Sequence, residues 1–290
     1  MLLRDCIREK SNFYFDEISA LFNGADIVTL FFPQIDQTTD QRLDSALKSF
    51  KVRAKRIVVI LDTFGGLVES VEKMVDLLRG KYDYEEVVFI VPEKAMSAGT
   101  VFVMSGDRIL MTKAACLGPI DPQVVQSINN ERKLVPALSY LTQFERLSSK
   151  SKTPGLSPLE LTLAMKQYDY AELHRFEQAR DYSVDLLEKW LTQYKFKDWK
   201  VTETTQRPVD MEMRSKRAKE VAKNLNDHVK WHTHSRGINM KTLIDDVGLR
   251  IEDVDDIQKL SPLLTDYWEL FKDFMSILKF QPFVHTKEFF

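Results

Sequence analysis

Asp62-Thr63-Phe64-Gly65-Gly66 and Ala95-Met96-Ser97-Ala98-Gly99-Thr100 decide how this chain is read. Each segment follows an apolar run that reads as a buried strand, Arg56-Ile57-Val58-Val59-Ile60-Leu61 before the first and Val87-Val88-Phe89-Ile90-Val91 before the second. Each is followed in turn by a helix-like stretch. Both segments therefore fall at strand ends along one edge of a parallel sheet, the edge at which α/β sheets place their ligands. A serine attacks a carbonyl only when a base removes its proton, and the resulting oxyanion needs fixed N–H donors. Glycine lets the backbone turn sharply and bring its N–H to a substrate without a Cβ in the way. A serine opening a helix also has the next N–H, that of Ala98, pointing the same way. The pairing points to acyl transfer, most simply hydrolysis. Taken singly, Gly65-Gly66 is also a tight strand-to-helix connection and Ser97 an N-cap. The segment lacks the Gly-x-Ser-x-Gly elbow of α/β-hydrolases, since Ala95 stands where the first glycine belongs.

Outward from these segments, residues 25–111 alternate strand and helix. Ala25–Phe32 reads as a strand ended by Pro33, Asp40–Phe50 as an amphipathic helix, and Val68, Val71, Val75 and Leu78 carry the helical period after the glycines. Arg108–Met111 is a short strand and Leu117–Gln123 a Gly/Pro turn. The pattern becomes helical from Val135, with a loop at Ser151–Gly155 and a long helix or helix pair over Pro158–Tyr194. The expected organisation is a catalytic domain over 1–194, with an N-terminal arm of about residues 1–24, followed by a helical extension over 195–290.

Composition supports an enzyme of ordinary globular type. The 290 residues are 44% hydrophobic and 29% charged, with a formal net charge of −2, which leaves no electrostatic footprint for nucleic acid. Only Cys6 and Cys116 occur, so neither a disulfide framework nor a cysteine metal cluster is expected. The charged opening after Met1-Leu2-Leu3 does not read as a signal peptide, and no apolar run is long enough for a membrane span. A cytoplasmic location and no integral membrane segment are the expectation.

The motifs resemble those of the serine dehydrogenase proteinase family, in the group of Clp proteases and signal peptide peptidase A. The resemblance rests on Asp62-Thr63-Phe64-Gly65-Gly66, Met96-Ser97-Ala98-Gly99-Thr100 and Leu117-Gly118-Pro119-Ile120-Asp121-Pro122-Gln123, in that order. Further matches fall at Ala171–Arg180 and Trp231-His232-Thr233-His234, so the likeness covers about residues 25–245. It implies an α/β fold of the ClpP/crotonase type, a β-β-α superhelix, here with a mostly helical C-terminal extension. The family name carries no dehydrogenase chemistry, since no Gly-x-Gly-x-x-Gly loop is present, and no cofactor is expected.

Residue by residue, the resemblance makes Ser97 the nucleophile. Gly65 and Gly66 form one half of the oxyanion hole and the Ala98 N–H the other. Clp proteases place a catalytic histidine a short way after the serine, close to where this chain has Asp121. No histidine lies between Ser97 and His174. The signal-peptide-peptidase branch uses a Ser-Lys dyad instead, and Lys152 fits its lysine best, with Lys133, Lys166 and His174 as competing bases. Such a lysine needs burial or a nearby cation to lower its pKa. The same resemblance implies a homo-oligomer and a peptide or protein substrate.

His228 and His232 share one helix face at i, i+4, with His234 nearby, a spacing that could hold a metal. No Glu-x-x-His signature accompanies them, and helix-end hydrogen bonding or a place along the substrate path is the preferred reading; no metal is assigned. Gly237–Leu249 looks like either a two-helix recognition module or a plain helical cap, the latter preferred. The aromatic ending Phe280–Phe290 reads as an exposed tail that docks on another subunit or partner. Three functions follow: a serine peptidase or hydrolase, an inactive oligomeric scaffold or regulatory binding protein of the same fold, and, less well supported because Ser97 would have no role, a crotonase-like acyl-CoA enzyme.

Overall fold

Burial on both faces of the central strands shows why they read as unbroken apolar runs. In the computed structural model, which describes residues 3–128, 131–151, 157, 162, 169–202 and 204–290, strand β2 spans Arg56–Thr63. Ile57, Val59 and Leu61 enter one core while Val58 and Ile60 enter the other, on the opposite face. Strand β3, Glu86–Val91, repeats this with Val87, Phe89 and Val91 against Val88 and Ile90. A sheet covered on both faces offers no solvent side, so polar alternation vanishes from the sequence.

β1, Asp26–Phe32, runs parallel to β2, which runs parallel to β3, which runs parallel to β5, Arg108–Met111. Beyond the end of the β2–β3 pairing, β4, Lys94–Ala95, takes over beside β2, with Thr63 opposite Ala95. β6, Cys116–Leu117, continues the layer beside β4. This step at the carboxyl edge of the sheet carries the site. An antiparallel hairpin follows, β7 (Gln123–Ile128) with β8 (Glu131–Pro136), between the Gly/Pro turn read over Leu117–Gln123 and the helical pattern read from Val135.

One face of the sheet is covered by helices α2 (Thr39–Lys48), α3 (Val68–Asp76) and α4 (Ala98–Val103), joined by residues of later helices such as Trp190 and Ala222. The other face is covered by the two ends of the chain. Helix α1, Leu3–Leu21, buries Ile7, Tyr14, Phe15 and Ile18 and packs with Leu260–Ile277, which buries Tyr267, Trp268 and Phe271. The N-terminal arm of the sequence reading is thus a core-forming helix, legible in retrospect from the i, i+4, i+7, i+8, i+11 spacing of its apolar and buried positions.

The C-terminal residues add strands as well as helices. β9 (Ile238–Asn239) pairs antiparallel with β6, β10 (Glu252–Asp253) parallel with β5, and β11 (Phe283–His285) antiparallel with β1. The aromatic ending is therefore not an exposed docking tail. His285 is fully buried, and the Phe290 ring stacks on Phe274 at 5.3 Å. Leu243, Val247 and Leu249 join the main core, in keeping with the cap rather than the recognition-module reading of that segment. Among the described residues, no helix is long and apolar enough to cross a membrane.

Candidate active site

Ser97 takes φ 52° and ψ −119°, a conformation that costs a non-glycine residue about 1–3 kcal/mol. Its neighbours hold it there. Helix α4 begins at Ala98, all six of its residues are buried, and Val101 N–H donates to the Ser97 carbonyl at 3.2 Å. Before Ser97, Met96 N–H donates to Thr63 O at 3.0 Å, which ties the approach to the end of β2. The chain must leave a strand at Ala95 and enter a buried helix at Ala98 within two residues, and Ser97 absorbs the turn while remaining partly exposed.

The glycine pair lies directly against it. Gly65 has φ +99°, and a Cβ there would meet Met96 O at 2.6 Å, Ser97 Cβ at 2.8 Å and Ala98 N at 3.1 Å. Only a residue without a side chain allows this contact. Gly65 N–H donates to Thr63 Oγ1 at 3.0 Å and its carbonyl accepts from Ile35 N at 2.8 Å. Gly66 forms a parallel bridge with Ile35, in which Leu67 N–H donates to Ile35 O at 2.9 Å. That bridge uses the groups flanking Gly66 and turns the Gly66 N–H itself away from Ile35. Among the described residues no acceptor meets it, nor the Ala98 N–H, one of the donors a helix start leaves unpaired. The structure thus brings Ser97, Gly65, Gly66 and Ala98 together, and of the two glycines it is Gly66 whose N–H remains available.

The candidate bases fare differently. Lys152 and Lys166 lie outside the described residues, as does the side chain of Lys133 on β8. His174 lies on the helix Tyr170–Trp190, its side chain 69% exposed and 3.7 Å from Glu177. The three clustered histidines do not converge on one site. His228 Nε2 is 3.5 Å from Thr142 Oγ1, His232 ends a short helix with φ 64°, and His234 Nδ1 lies 2.8 Å from Asp121 Oδ1. Among the described residues, no group of His, Cys, Asp and Glu side chains is arranged to hold a metal ion.

Two carboxylates at this edge were quoted in the sequence motifs without a role. Asp62 is 2% exposed, and burial pushes its carboxyl up to about 6 against the opposing pull of Lys94, whose Nζ is 3.8 Å away. By the alternation along β2 it falls on the same face as Val58 and Ile60. Asp121 is equally buried and is spoken for by His234. An Asp two residues after the Gly118-Pro119 pair is the signal that marks it in the sequence; its partner lies too far along the chain to be read.

The match to known proteins agrees with this geometry. The family model of ClpP-like SDH-type serine proteinases matches residues 29–202, and the chain belongs to that family. Its α/β core and mostly helical C-terminal region are the ClpP-like fold the motifs imply. Two uncharacterized proteins of Methanocaldococcus jannaschii are similar. One, MJ0137, is 32% identical over 123 residues, 41% of this chain and 42% of that protein. The other, MJ1495, is 27% identical over 168 residues, 57% of this chain and 54% of that protein. The chain thus spans about half the length of the curated relatives it matches. Among solved structures, a membrane-bound stomatin-specific protease is similar at 21% identity and a TM-score of 0.31, covering 41% of this chain and 60% of that one. The ClpP catalytic domain of Plasmodium falciparum is similar at 15% identity and a TM-score of 0.28, covering 35% and 59%.

Proposed function

We propose that this protein is a serine peptidase in which Ser97 forms an acyl-enzyme with its substrate. The observation that carries the reading is the contact of Gly65 with Ser97 and Ala98, which sets a strained, accessible serine beside unpaired backbone donors. A substrate carbonyl placed over Ser97 Oγ would develop its negative charge toward the N–H groups of Gly66 and Ala98. Gly65 serves the hole by proximity, since its own N–H is held by Thr63. A general base must accept the Ser97 proton. Lys152 is the candidate the family resemblance offers, and among the described residues His234, whose Nδ1 lies 2.8 Å from Asp121 Oδ1, is a second. The substrate class is a peptide or protein, and the working form a homo-oligomer.

A fluorophosphonate probe tests this directly, because it reacts with activated serines. The full-length chain should be labelled, and Ser97→Ala should lose the label along with at least about 10³-fold of any peptidase activity, without loss of fold. Labelling that persists in Ser97→Ala would overturn the assignment. Absence of labelling in the natural chain would favour the oligomeric scaffold instead.

A further inference from the structure

At the end of the sheet opposite Ser97, the amino ends of β5 and β10 gather more positive charge than the described residues neutralise. Arg108 opens β5, and β10 runs parallel to it with Glu252 opposite Leu110. Continued two residues back, that register sets Arg250 beside Arg108. Arg108 is held by Glu252, its Nε 3.0 Å from Oε1 and 3.2 Å from Oε2. Arg250 is exposed and makes no hydrogen bond or ion pair among the described residues.

Lys195 faces the same charges. The helix Tyr170–Trp190 runs on into a single π turn, Leu191–Lys195, closed by Phe196 N–H donating to Leu191 O at 2.8 Å. Such turns are uncommon and recur at functional sites. Lys195 ends this one, partly buried, and no described residue bonds its amine. Burial pushes its pKa down to about 8, and Arg250 and Arg108 add to that against the pull of Glu252 and Asp107. At neutral pH the amine is still an ammonium ion, and neither carboxylate is free to neutralise it. Glu252 is committed to Arg108, while Asp107 is shared by Arg79 at 2.8 Å and Lys197 at 2.6 Å.

Two like charges are thus brought together without a counter-charge, one of them partly withdrawn from water, where an unpaired charge is costly. Lys195, Arg250 and Arg108 against the single carboxylate of Glu252 leave two positive charges. A phosphate monoester, with a charge of about −1.5 to −2 at pH 7, matches that excess, and one carboxylate does not. Guanidinium and ammonium groups also suit phosphate oxygens, the first as a two-pronged donor and the second as a point charge.

We propose that Lys195 and Arg250, backed by Arg108, form a site for a phosphate group at the end of the sheet remote from Ser97. Lys195 supplies the enclosed charge, Arg250 meets the ligand from the solvent side, and Glu252 keeps Arg108 in place. The site is separate from the acyl-transfer chemistry and does not depend on it.

Calorimetric titration of the full-length chain with inorganic phosphate, at an ionic strength held constant with sodium chloride, tests the site. Phosphate should bind and raise Tm where chloride does not. Lys195→Met and Arg250→Gln should each weaken binding at least about tenfold, the loss of one hydrogen bond to a charged group. Without phosphate, Lys195→Met should melt at or above the temperature of the natural chain, because it removes an uncompensated charge, so its loss of binding is not a loss of fold. Lys113→Met makes the same change in net charge at an exposed lysine paired with Asp255, and should bind phosphate as the natural chain does. Phenyl phosphate separates the sources: its binding alongside phosphate assigns the group to a larger molecule, and its exclusion assigns a free ion, the site standing in either case. Phosphate binding no stronger than chloride, an equal loss in Lys113→Met, or a Lys195→Met variant that melts well below the natural chain would each overturn the proposal.

Discussion

The Thr100 hydroxyl joins three segments that the chain keeps apart. It accepts the Gly118 N–H at 2.9 Å and lies within donating distance of the carbonyls of Ala95, at 2.7 Å, and Gly118, at 3.0 Å. Helix α4 is thereby fastened both to the strand before it and to the turn after β6. Thr63 completes the contact from β2, since its Cγ2 would be only 2.4 Å from a Cβ on Gly99. The glycine motif, the serine motif and the Leu-Gly-Pro turn are one packed unit.

Thr100→Val keeps the volume and removes the hydroxyl. It leaves the buried Gly118 N–H without its acceptor, a loss worth about 1–3 kcal/mol for an unsatisfied backbone group. Urea denaturation should show a decrease of that size, together with weaker fluorophosphonate labelling as α4 loosens. A variant as stable as the natural chain would mean that the hydroxyl does not hold the turn.

Ser97→Gly and Ser97→Ala should differ in stability although both remove the nucleophile. The positive φ of Ser97 is strained for alanine as it is for serine, and unstrained for glycine. The glycine variant should therefore be more stable than the alanine one by about 1 kcal/mol, at the lower end of the strain expected there. Equal midpoints in urea would show that the conformation stores no strain.

Gly65→Ala and Gly66→Ala should each cost more than about 2 kcal/mol. Both residues have positive φ, and the added methyls would fall 2.6 Å from Met96 O and 2.1 Å from Ile35 O, with backbone as the obstacle in each case. Gly80→Ala is the control, since nothing lies within 4 Å of the new methyl and its φ is ordinary. It should leave stability unchanged or raise it by about 1 kcal/mol through helix propensity. Thermal melts of the three variants decide the matter.

Asp62 should make the fold less stable as pH rises from about 4 to 6. Burial raises its carboxyl from 3.8 to about 6, so between those values the folded chain holds a proton that the unfolded chain has released. The stabilising contribution is complete below the unfolded value and lost by the time pH passes the folded one. A shift of about two units corresponds to about 3 kcal/mol between pH 4 and pH 7. Asp62→Asn, which cannot ionise, should flatten that part of the stability curve in urea titrations at the two pH values. An undiminished slope in the variant would assign the pH dependence to other groups.

The parts of this protein that could be read without a structure are those encoded within a dozen residues. Val87–Val91 is a buried strand because every side chain is apolar, and Gly65-Gly66 is a close approach because nothing else fits. Ser97 is a nucleophile candidate because it opens a helix after a strand. Each of these depends on backbone conformation and hydrophobic period, which are local quantities. Tertiary structure decided the rest. The Asp121–His234 pair joins residues 113 apart, and its existence depends on the antiparallel register of β6 with β9, which no local pattern states. Helix α1 folds against Leu260–Ile277, and β11 turns the aromatic ending into a sheet edge, because the second face of a parallel sheet must be covered by something. The sequence shows that such a face exists. Which segments cover it, and which histidine Asp121 meets, follows only from how segments more than a hundred residues apart come into register.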